Sequence, residues 1–335
     1  MIYKTVILGC GSIGAMKDSK YDSSSTLAVI TWAHACHSHP ETELSGVYDI
    51  DGEKAKKAAD KWGTYAYPSL NDLLLNGHPS IVIVATPTDI HWMSLFDVLN
   101  TIPNNDYIVI AEKPVCNRTQ DAKTIAKMYK QKNIPILVNY LRRYNKAIRD
   151  VGEAIKMGQF GEVYNCKITY ARGFIRDGSH GIDLCRYFFG DAIDGSWLNG
   201  PDMGKIINKA KAIDDYSKDD LTYAAWLSFK NCPFVFFCPV DGRAYDVFDI
   251  DIYTKMGRIF ITEHGKKIMY YDRKKEETYG DYDALATTPR AVETGLDKTM
   301  LNVMDNAIAV LEKKEEGICT IDDAIETHRI FDKLL

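Results

Sequence analysis

Residues Gly9-Cys10-Gly11-Ser12-Ile13-Gly14 spell G-x-G-x-x-G directly after the apolar run Thr5–Leu8. Glycines at this spacing permit a tight turn and let backbone amides approach a pyrophosphate, whose charge the following helix N-terminus stabilises. The same pattern also occurs in plain turns, so its surroundings decide between the two readings. Because it follows a predicted strand, we predict a dinucleotide-binding loop built from Gly9, Gly11, Ser12, Ile13 and Gly14.

The rest of the first 140 residues alternates short apolar runs with helical patterns. Such runs are Leu44–Tyr48, Ile81–Ala85, Tyr107–Ala111 and Ile136–Asn139. This alternation is typical of βαβ units, which build a doubly wound parallel sheet. After about Tyr140, longer and aromatic-rich runs such as Pro233–Pro239 indicate a second, antiparallel sheet. We therefore predict an α/β Rossmann domain at residues 1–140 and an α+β domain at residues 141–335.

Composition excludes several classes of protein. The 335 residues are 46% hydrophobic and 26% charged, with a net charge of -5, as expected for about two globular domains. No stretch approaches the ~18 apolar residues of a membrane helix, and the start of the chain has no signal-peptide pattern. We expect a cytoplasmic protein that binds neither a membrane nor a nucleic acid, since its basic clusters are short. The eight cysteines form no C-x-x-C pair, so we predict reduced thiols and no metal site.

An aspartate follows the second apolar run. Asp49 is placed to accept hydrogen bonds from an adenosine ribose, and its charge would repel a 2′-phosphate, so NAD is favoured over NADP. The alternative is that Asp49 only begins a turn and caps the next helix. Gly14 and Asp49 are 35 positions apart, against about 20 in the usual fingerprint. The excess, Lys17–Ile30, is either a surface excursion or a sign that the first helix begins near Thr26.

Polar residues follow the third and fourth runs, where open α/β sheets place their ligands. The third run leads into Thr86-Pro87-Thr88 and His91, and the fourth into Glu112-Lys113-Pro114. We predict that these residues contact the cofactor, with Lys113 held at the sheet edge. Thr88 as a helix cap, His91 as a structural histidine and Lys113 as a solvated charge are the alternatives.

Together these motifs resemble the glucose-fructose oxidoreductase/inositol dehydrogenase (Gfo/Idh/MocA) family, and the resemblance spans the chain. It also rests on Asn139–Tyr144, Gly158–Val163 and His180-Gly181-Ile182-Asp183. The resemblance implies a second domain with a large open sheet that joins subunits in a homo-dimer or homo-tetramer. It further implies an NAD(P)-dependent dehydrogenase or reductase that acts on a CH–OH group of a sugar, sugar nucleotide or cyclitol.

The resemblance also assigns roles in the reaction. Lys113 would hydrogen-bond the reacting hydroxyl and His180 would be the general acid/base, and both residue types suit that chemistry. Many family members carry an aspartate four residues before the histidine. Here that position is Arg176, so either Asp177 substitutes for the aspartate or Arg176 holds an anionic substrate group. Asp183 is a candidate to orient the imidazole.

Several arginines and tyrosines surround these motifs. The candidates to bind an anionic substrate are Arg143, Tyr144, Arg172 and Arg176, and ordinary surface ion pairs are the alternative. Two other functions stay open. One is a dinucleotide-binding sensor or assembly protein without dehydrogenase turnover, and the other is an enzyme that retains its cofactor through elimination or internal redox chemistry.

Overall fold

A computed structural model describes residues 1–17, 22–24, 27–198, 222–242, 244–276, 278 and 280–334. The chain forms two compact units. Unit 1 contains Met1–Tyr144 and Asp297–Arg329, and unit 2 contains Asn145–Leu296 and Ile330–Leu335. The first segment of unit 1 therefore ends near the boundary expected at residue 140, but a later segment returns to it.

Unit 1 is built on a parallel sheet of five strands in the order β2-β1-β3-β4-β5. The strands are β1 (Tyr3–Leu8), β2 (Thr42–Tyr48), β3 (Ile81–Val84), β4 (Ile108–Ala111) and β5 (Ile136–Val138). Strands β3 and β4 are buried along their whole length, as expected for strands that are covered on both faces. A parallel bridge from Val47 to Ala66 extends the sheet beyond β2. Counting that bridge as a strand gives the 3-2-1-4-5-6 order of dinucleotide-binding folds.

Helices connect the strands of unit 1. They are α1 (Trp32–Ser38), α2 (Gly52–Trp62), α3 (Leu70–Asn76), α4 (His91–Thr101) and α5 (Thr119–Gln131). Caps define several of these ends: Thr31 accepts from the His34 amide before α1, and Gly63 adopts the left-handed conformation after α2. The strand-helix alternation and the parallel sheet confirm the predicted α/β class.

The C-terminal part of the chain returns to unit 1. It carries α8 (Thr299–Leu311) and the start of α9 (Ile321–Leu334). The Val138 amide donates to the Cys319 carbonyl, and the Tyr3 hydroxyl donates to Glu312 across 3.0 Å. These contacts join residues that are far apart in sequence, and local periodicity does not reveal such contacts. For this reason the sequence-based prediction placed the segment in the second domain.

Unit 2 is built on a nine-stranded sheet. Its order is β13-β12-β11-β10-β6-β9-β8-β7, with β14 paired to β12, and β6 and β9 form its parallel pair. The strands are β6 (Val163–Tyr170), β7 (Ala192–Trp197), β8 (Ala225–Phe229), β9 (Cys232–Pro239), β10 (Phe248–Thr254), β11 (Gly257–Thr262), β12 (Lys267–Lys275), β13 (Asp283–Leu285) and β14 (Arg290–Glu293). The predicted second, mostly antiparallel sheet is confirmed.

Two helices, α6 (Lys146–Lys156) and α7 (Ser179–Phe189), belong to the same core as one face of this sheet. Along β6 the buried side chains of Cys166 and Ile168 alternate with the exposed Lys167. Phe236 on β9 and Tyr253 on β10, the two strands that flank β6, are each 37% exposed. The alternation leaves one face of the sheet open among the described residues.

Three further expectations concern disulfides, metal sites and membrane-spanning helices. All eight cysteines are free, and seven of them are buried. Among the described residues there is no cluster of three or more metal-ligating side chains. In the same part of the chain, no helix combines the length and apolar character that a membrane span requires.

Candidate active site

The glycine-rich loop follows β1 at the carboxyl edge of the unit 1 sheet. Gly9 has a φ of +93°, and a Cβ placed on it would lie 2.6 Å from the Ala85 carbonyl oxygen. A Cβ on Gly14 would lie 2.0 Å from the Gly9 oxygen. At Gly11 a Cβ would meet no atom within 4 Å. Gly9 and Gly14 therefore serve close backbone packing, while Gly11 borders open space beside the loop.

Asp49 lies against this loop. Its carboxylate accepts a hydrogen bond from the Cys10 amide across 2.8 Å and another from the Asp51 amide across 2.9 Å. The helix cap is a different residue, because Asp51 accepts from the amides of Glu53 and Lys54 at the start of α2. Asp51 and not Asp49 therefore caps α2, and Asp49 contacts the glycine-rich loop itself.

The segment after the loop differs from a long continuous helix. Ser12–Met16 forms a five-residue π-helical turn, and α1 begins only at Trp32. Asp22, which is 2% exposed, accepts from the Thr31 hydroxyl across 2.9 Å and from the Lys61 ammonium across 2.7 Å. The buried Asp22 carboxylate therefore links the start of α1 to α2.

His91 joins the ends of β3 and β4. Its Nε2 lies 2.5 Å from the Thr86 carbonyl oxygen and its Nδ1 lies 2.9 Å from the Pro114 carbonyl oxygen. The ring is 1% exposed, and burial lowers the pKa of His91 although both carbonyls favour its charged form. Pro87 is exposed, and Thr88 begins a short 3-10 turn before α4 without capping it. Both ring nitrogens of His91 face backbone, which makes it a link between two strand ends.

Glu112 directly follows β4 and is 9% exposed. One carboxyl oxygen, Oε1, accepts from the Trp32 indole N–H across 2.9 Å and from the Asn139 amide across 2.7 Å. Burial raises the pKa of Glu112, and hydrogen bonds from Asn139 and Trp32 and the charge of Lys113 oppose the rise. Lys113 itself is half-buried.

Unit 2 carries the second group of predicted residues. Phe174–Gly178 forms a π-helical turn, and His180 lies in the first turn of α7, with its ring 6.2 Å from that of Phe248. Asp183, three residues later, is 1% exposed, and Asp177 is half-buried. Gly178 holds the N-cap position of α7 without a side-chain bond, so Asp177 lies one residue before the cap.

Two of the candidate anion-binding arginines form ion pairs. Arg143, at 5% exposure, contacts Asp323 across 3.0 Å, and Arg172, whose φ is +61°, contacts Asp246 across 2.9 Å. Burial raises the pKa of Asp323, but the Arg143 charge and bonds from Thr320 more than offset it, so the net direction is down. The buried Tyr144 directs its hydroxyl to the carbonyls of Val138 and Cys319.

The predicted residues thus fall into two groups. Unit 1 gathers the glycine-rich loop, Asp49, the residues after β3 and the residues after β4 at one edge of its sheet, and it also holds Arg143 and Tyr144. Unit 2 holds Arg172, Arg176, Asp177, His180 and Asp183. Trp32 and Asn139 were missed as site residues. Asn139 had a usable signal, a polar residue at the end of a buried strand, whereas Trp32 looked like an ordinary core residue.

Comparison with known proteins shows where the chain finds relatives. Residues 3–140 match the family model described as "Oxidoreductase family, NAD-binding Rossmann fold". Scyllo-inositol 2-dehydrogenase (NAD(+)) of Bacillus subtilis is 26% identical over 168 residues, which cover 43% of this chain and 45% of the relative. UDP-N-acetylglucosamine 3-dehydrogenase of Acidithiobacillus ferrooxidans is 24% identical over 151 residues, covering 45% and 41%. The chain thus spans less than half the length of these two curated relatives.

A solved structure is similar over nearly the whole chain. The WlbA dehydrogenase from Bordetella pertussis, in complex with NADH and UDP-GlcNAcA, superposes with a TM-score of 0.75 at 17% identity. The match covers 99% of this chain and 94% of the other. At this identity the likeness establishes a shared two-part fold.

Proposed function

We propose that this chain, whose residues 3–140 match the family model, is a member of the Gfo/Idh/MocA oxidoreductase family and acts as an NAD-dependent dehydrogenase or reductase. The proposed reaction transfers a hydride between the nicotinamide and a secondary hydroxyl or ketone. The proposed substrates are sugars, sugar nucleotides or cyclitols, the classes named for its relatives.

One observation carries the proposal. The carboxyl edge of a single parallel sheet holds an open glycine-rich loop, a carboxylate bonded to that loop and a lysine at the end of β4. Parallel α/β sheets bind their ligands at this edge, near the point where the strand order changes direction. Here that point lies between β1 and β3, next to the loop.

The unit 1 residues fit a dinucleotide. The space at Gly11 is open, so loop amides can approach a pyrophosphate without a side chain between them. Asp49 is held beside the loop, where a carboxylate suits a ribose 2′-hydroxyl and disfavours a 2′-phosphate. This supports NAD over NADP. Since α1 begins only at Trp32, the loop amides rather than a long helix would bind the phosphates.

The remaining chemistry concerns a proton. When NAD is bound, it supplies the hydride acceptor, and the alcohol must lose its hydroxyl proton as well. We assign Lys113 to hydrogen-bond that hydroxyl and stabilise the developing alkoxide, because an ammonium there is already positive. In this proposal His180 accepts the proton, Asp183 orients its ring and Asp177 is a second acidic group of the site.

In this proposal a charged substrate group contacts Arg176, which stands where many family members carry an aspartate. An anion at Arg143 would compete with Asp323, and one at Arg172 would compete with Asp246. Neutral sugars or cyclitols do not have to displace Asp323 or Asp246, so the two ion pairs favour neutral substrates over sugar nucleotides.

The test is a substrate screen followed by two substitutions. Cyclitols, free sugars and nucleotide sugars are offered with NAD or NADP, and reduced nicotinamide is monitored by absorbance. On the active substrate, Lys113→Met and His180→Ala are expected to lower kcat by at least about a hundredfold. Lys127→Met, which removes an exposed lysine on α5, is the matched control and should keep full activity.

Retained turnover in both site variants would reject the assigned roles. Tight NADH binding without turnover on any member of the panel would favour the sensor or assembly protein instead. The altered Arg176 position is the feature that motivates this second function.

The open face of the unit 2 sheet supports a proposed homo-oligomer. Arg258 forms two hydrogen bonds with Asp251, of 2.6 and 2.9 Å, and lies within 5.5 Å of the ring centres of Tyr253, Phe260 and Tyr271. With the exposed Phe236 nearby, this is a mixed aromatic and charged surface of the kind that subunits bury. A light-scattering mass equal to the monomer would reject this assembly.

A further inference from the structure

We propose that Trp32 and Asn139 are positioning residues that hold the Glu112 carboxyl beside Lys113, and thereby keep the lysine ammonium in place for the reaction. This inference rests on the proposed function, in which Lys113 contacts the reacting hydroxyl. Trp32 and Asn139 act through Glu112 and touch no substrate in this account.

The geometry around Glu112 is specific. Both donors reach the same oxygen, Oε1, across 2.9 Å from the indole and 2.7 Å from the amide. An indole N–H only donates, so the direction of that bond is certain, and the shared oxygen must be the acceptor of both. Trp32 is fully buried and Asn139 is 4% exposed, so water does not compete for either bond.

The hydrogen bonds from Trp32 and Asn139 oppose the rise in the pKa of Glu112 that burial causes. A carboxyl without partners at this depth would bind a proton and lose its charge. Two donors on one oxygen, together with the adjacent Lys113 ammonium and backbone N–H, all favour the charged form. A charged Glu112 in turn attracts the ammonium of Lys113, so the orientation of the carboxyl affects where that ammonium lies.

The position of Trp32 depends on the extra residues that precede it. Thr31 caps α1 by accepting from the His34 amide, and its hydroxyl donates to the buried Asp22. Asp22 is also paired with Lys61 on α2. The anchored Asp22 therefore fixes the N-terminus of α1, and with it the indole that reaches Glu112. The long spacing between the glycine-rich loop and Asp49 thus brings a donor to the end of β4.

The competing account is that the three side chains only satisfy each other inside the core. In that case, changing them would alter stability but not Lys113. The deciding quantity is the pKa of Lys113, measured in the full chain without any substrate. Lysines are reductively methylated with 13C and titrated by NMR, and the Lys113 signal is assigned by its loss in Lys113→Arg.

Removing the charge in Glu112→Gln should lower the pKa of Lys113 by about one unit, since the ammonium loses its negative neighbour. Trp32→Phe keeps an aromatic ring but removes the N–H, so it should shift Lys113 in the same direction by less. Trp62→Phe is the matched control: Trp62 is also buried and donates its indole N–H to the Ala15 carbonyl across 2.9 Å, away from Glu112. It should leave the Lys113 titration unchanged.

An unchanged Lys113 titration in both Glu112→Gln and Trp32→Phe would overturn the proposal. If Trp32→Phe does not fold, Glu112→Gln and Asn139→Ala decide by the same signal. On an active substrate, Trp32→Phe and Asn139→Ala should shift the pH profile of kcat while the KM for NAD stays within about twofold. If no substrate is found, or Lys113→Met stays active, the proposed function fails while the NMR titration still decides the positioning role.

Discussion

Gly11→Ala is expected to leave the fold intact and to weaken NAD binding. An alanine Cβ at this position meets no atom within 4 Å, and the backbone, at φ -70° and ψ -164°, is open to any residue. The apo chain should therefore be as stable as the wild type, or more stable by about 0.4–1 kcal/mol through a less flexible unfolded state. In the complex, the methyl group would occupy space beside the amides that the pyrophosphate needs. An overpacking cost of about 1–3 kcal/mol corresponds to an affinity loss of roughly fivefold to 150-fold.

Gly14→Ala provides the contrast. Its Cβ would lie 2.0 Å from the Gly9 oxygen, a backbone atom that has no free rotation with which to move away. This variant should be destabilised by about 1–3 kcal/mol or more before any ligand is added. The assays are urea unfolding of the apo chain and a fluorescence titration with NADH. Wild-type NADH affinity in Gly11→Ala would refute the assignment of the loop as the pyrophosphate site, whatever Gly14→Ala does.

Two further predictions concern the carboxylates of unit 1. Asp49→Ser should lower the affinity for NADH and raise the ratio of NADPH to NADH affinity, because the charge that repels a 2′-phosphate is gone; an unchanged ratio in competition titrations would contradict this. Glu112→Gln should stabilise the apo chain at pH 7. Burial raises the pKa of Glu112 above 4.5, so the folded chain binds the proton more tightly than the unfolded chain does. The wild type therefore loses stability as the pH rises above that value. Urea midpoints from pH 4 to 8 should show the gain growing with pH, and a constant gain would count against it.

Much of unit 1 could be predicted from local sequence signals. The glycine motif follows β1, the short apolar runs form a parallel sheet, and Glu112-Lys113 follows β4 as expected. These features are encoded within a few residues, by periodicity, glycine placement and strand ends. The structure confirms the two predicted sheets, and residues 3–140 match the oxidoreductase family model, whereas the roles of individual site residues stay predictions.

Long-range contacts account for what the sequence did not reveal. The bond between Trp32 and Glu112 joins residues 80 positions apart, and the bond between Val138 and Cys319 ties the C-terminal segment to β5. A buried tryptophan has the same apolar pattern whether its N–H meets a carboxyl or a backbone carbonyl, as Trp62 shows. Only the folded arrangement distinguishes a donor to Glu112 from an ordinary core residue.

His91 makes structural contacts and also borders the proposed cofactor site. Both of its ring nitrogens face carbonyl oxygens, which only accept, yet a neutral imidazole has a single N–H to donate. Burial favours the neutral ring, in which one of the two contacts lacks a proton, while both contacts together favour the charged ring. The histidine is therefore structural in its contacts, but those contacts connect the Thr86 and Pro114 segments that flank the proposed cofactor site. Protonation of the ring would give both carbonyl oxygens an N–H donor and would so strengthen the link between the segments that follow β3 and β4.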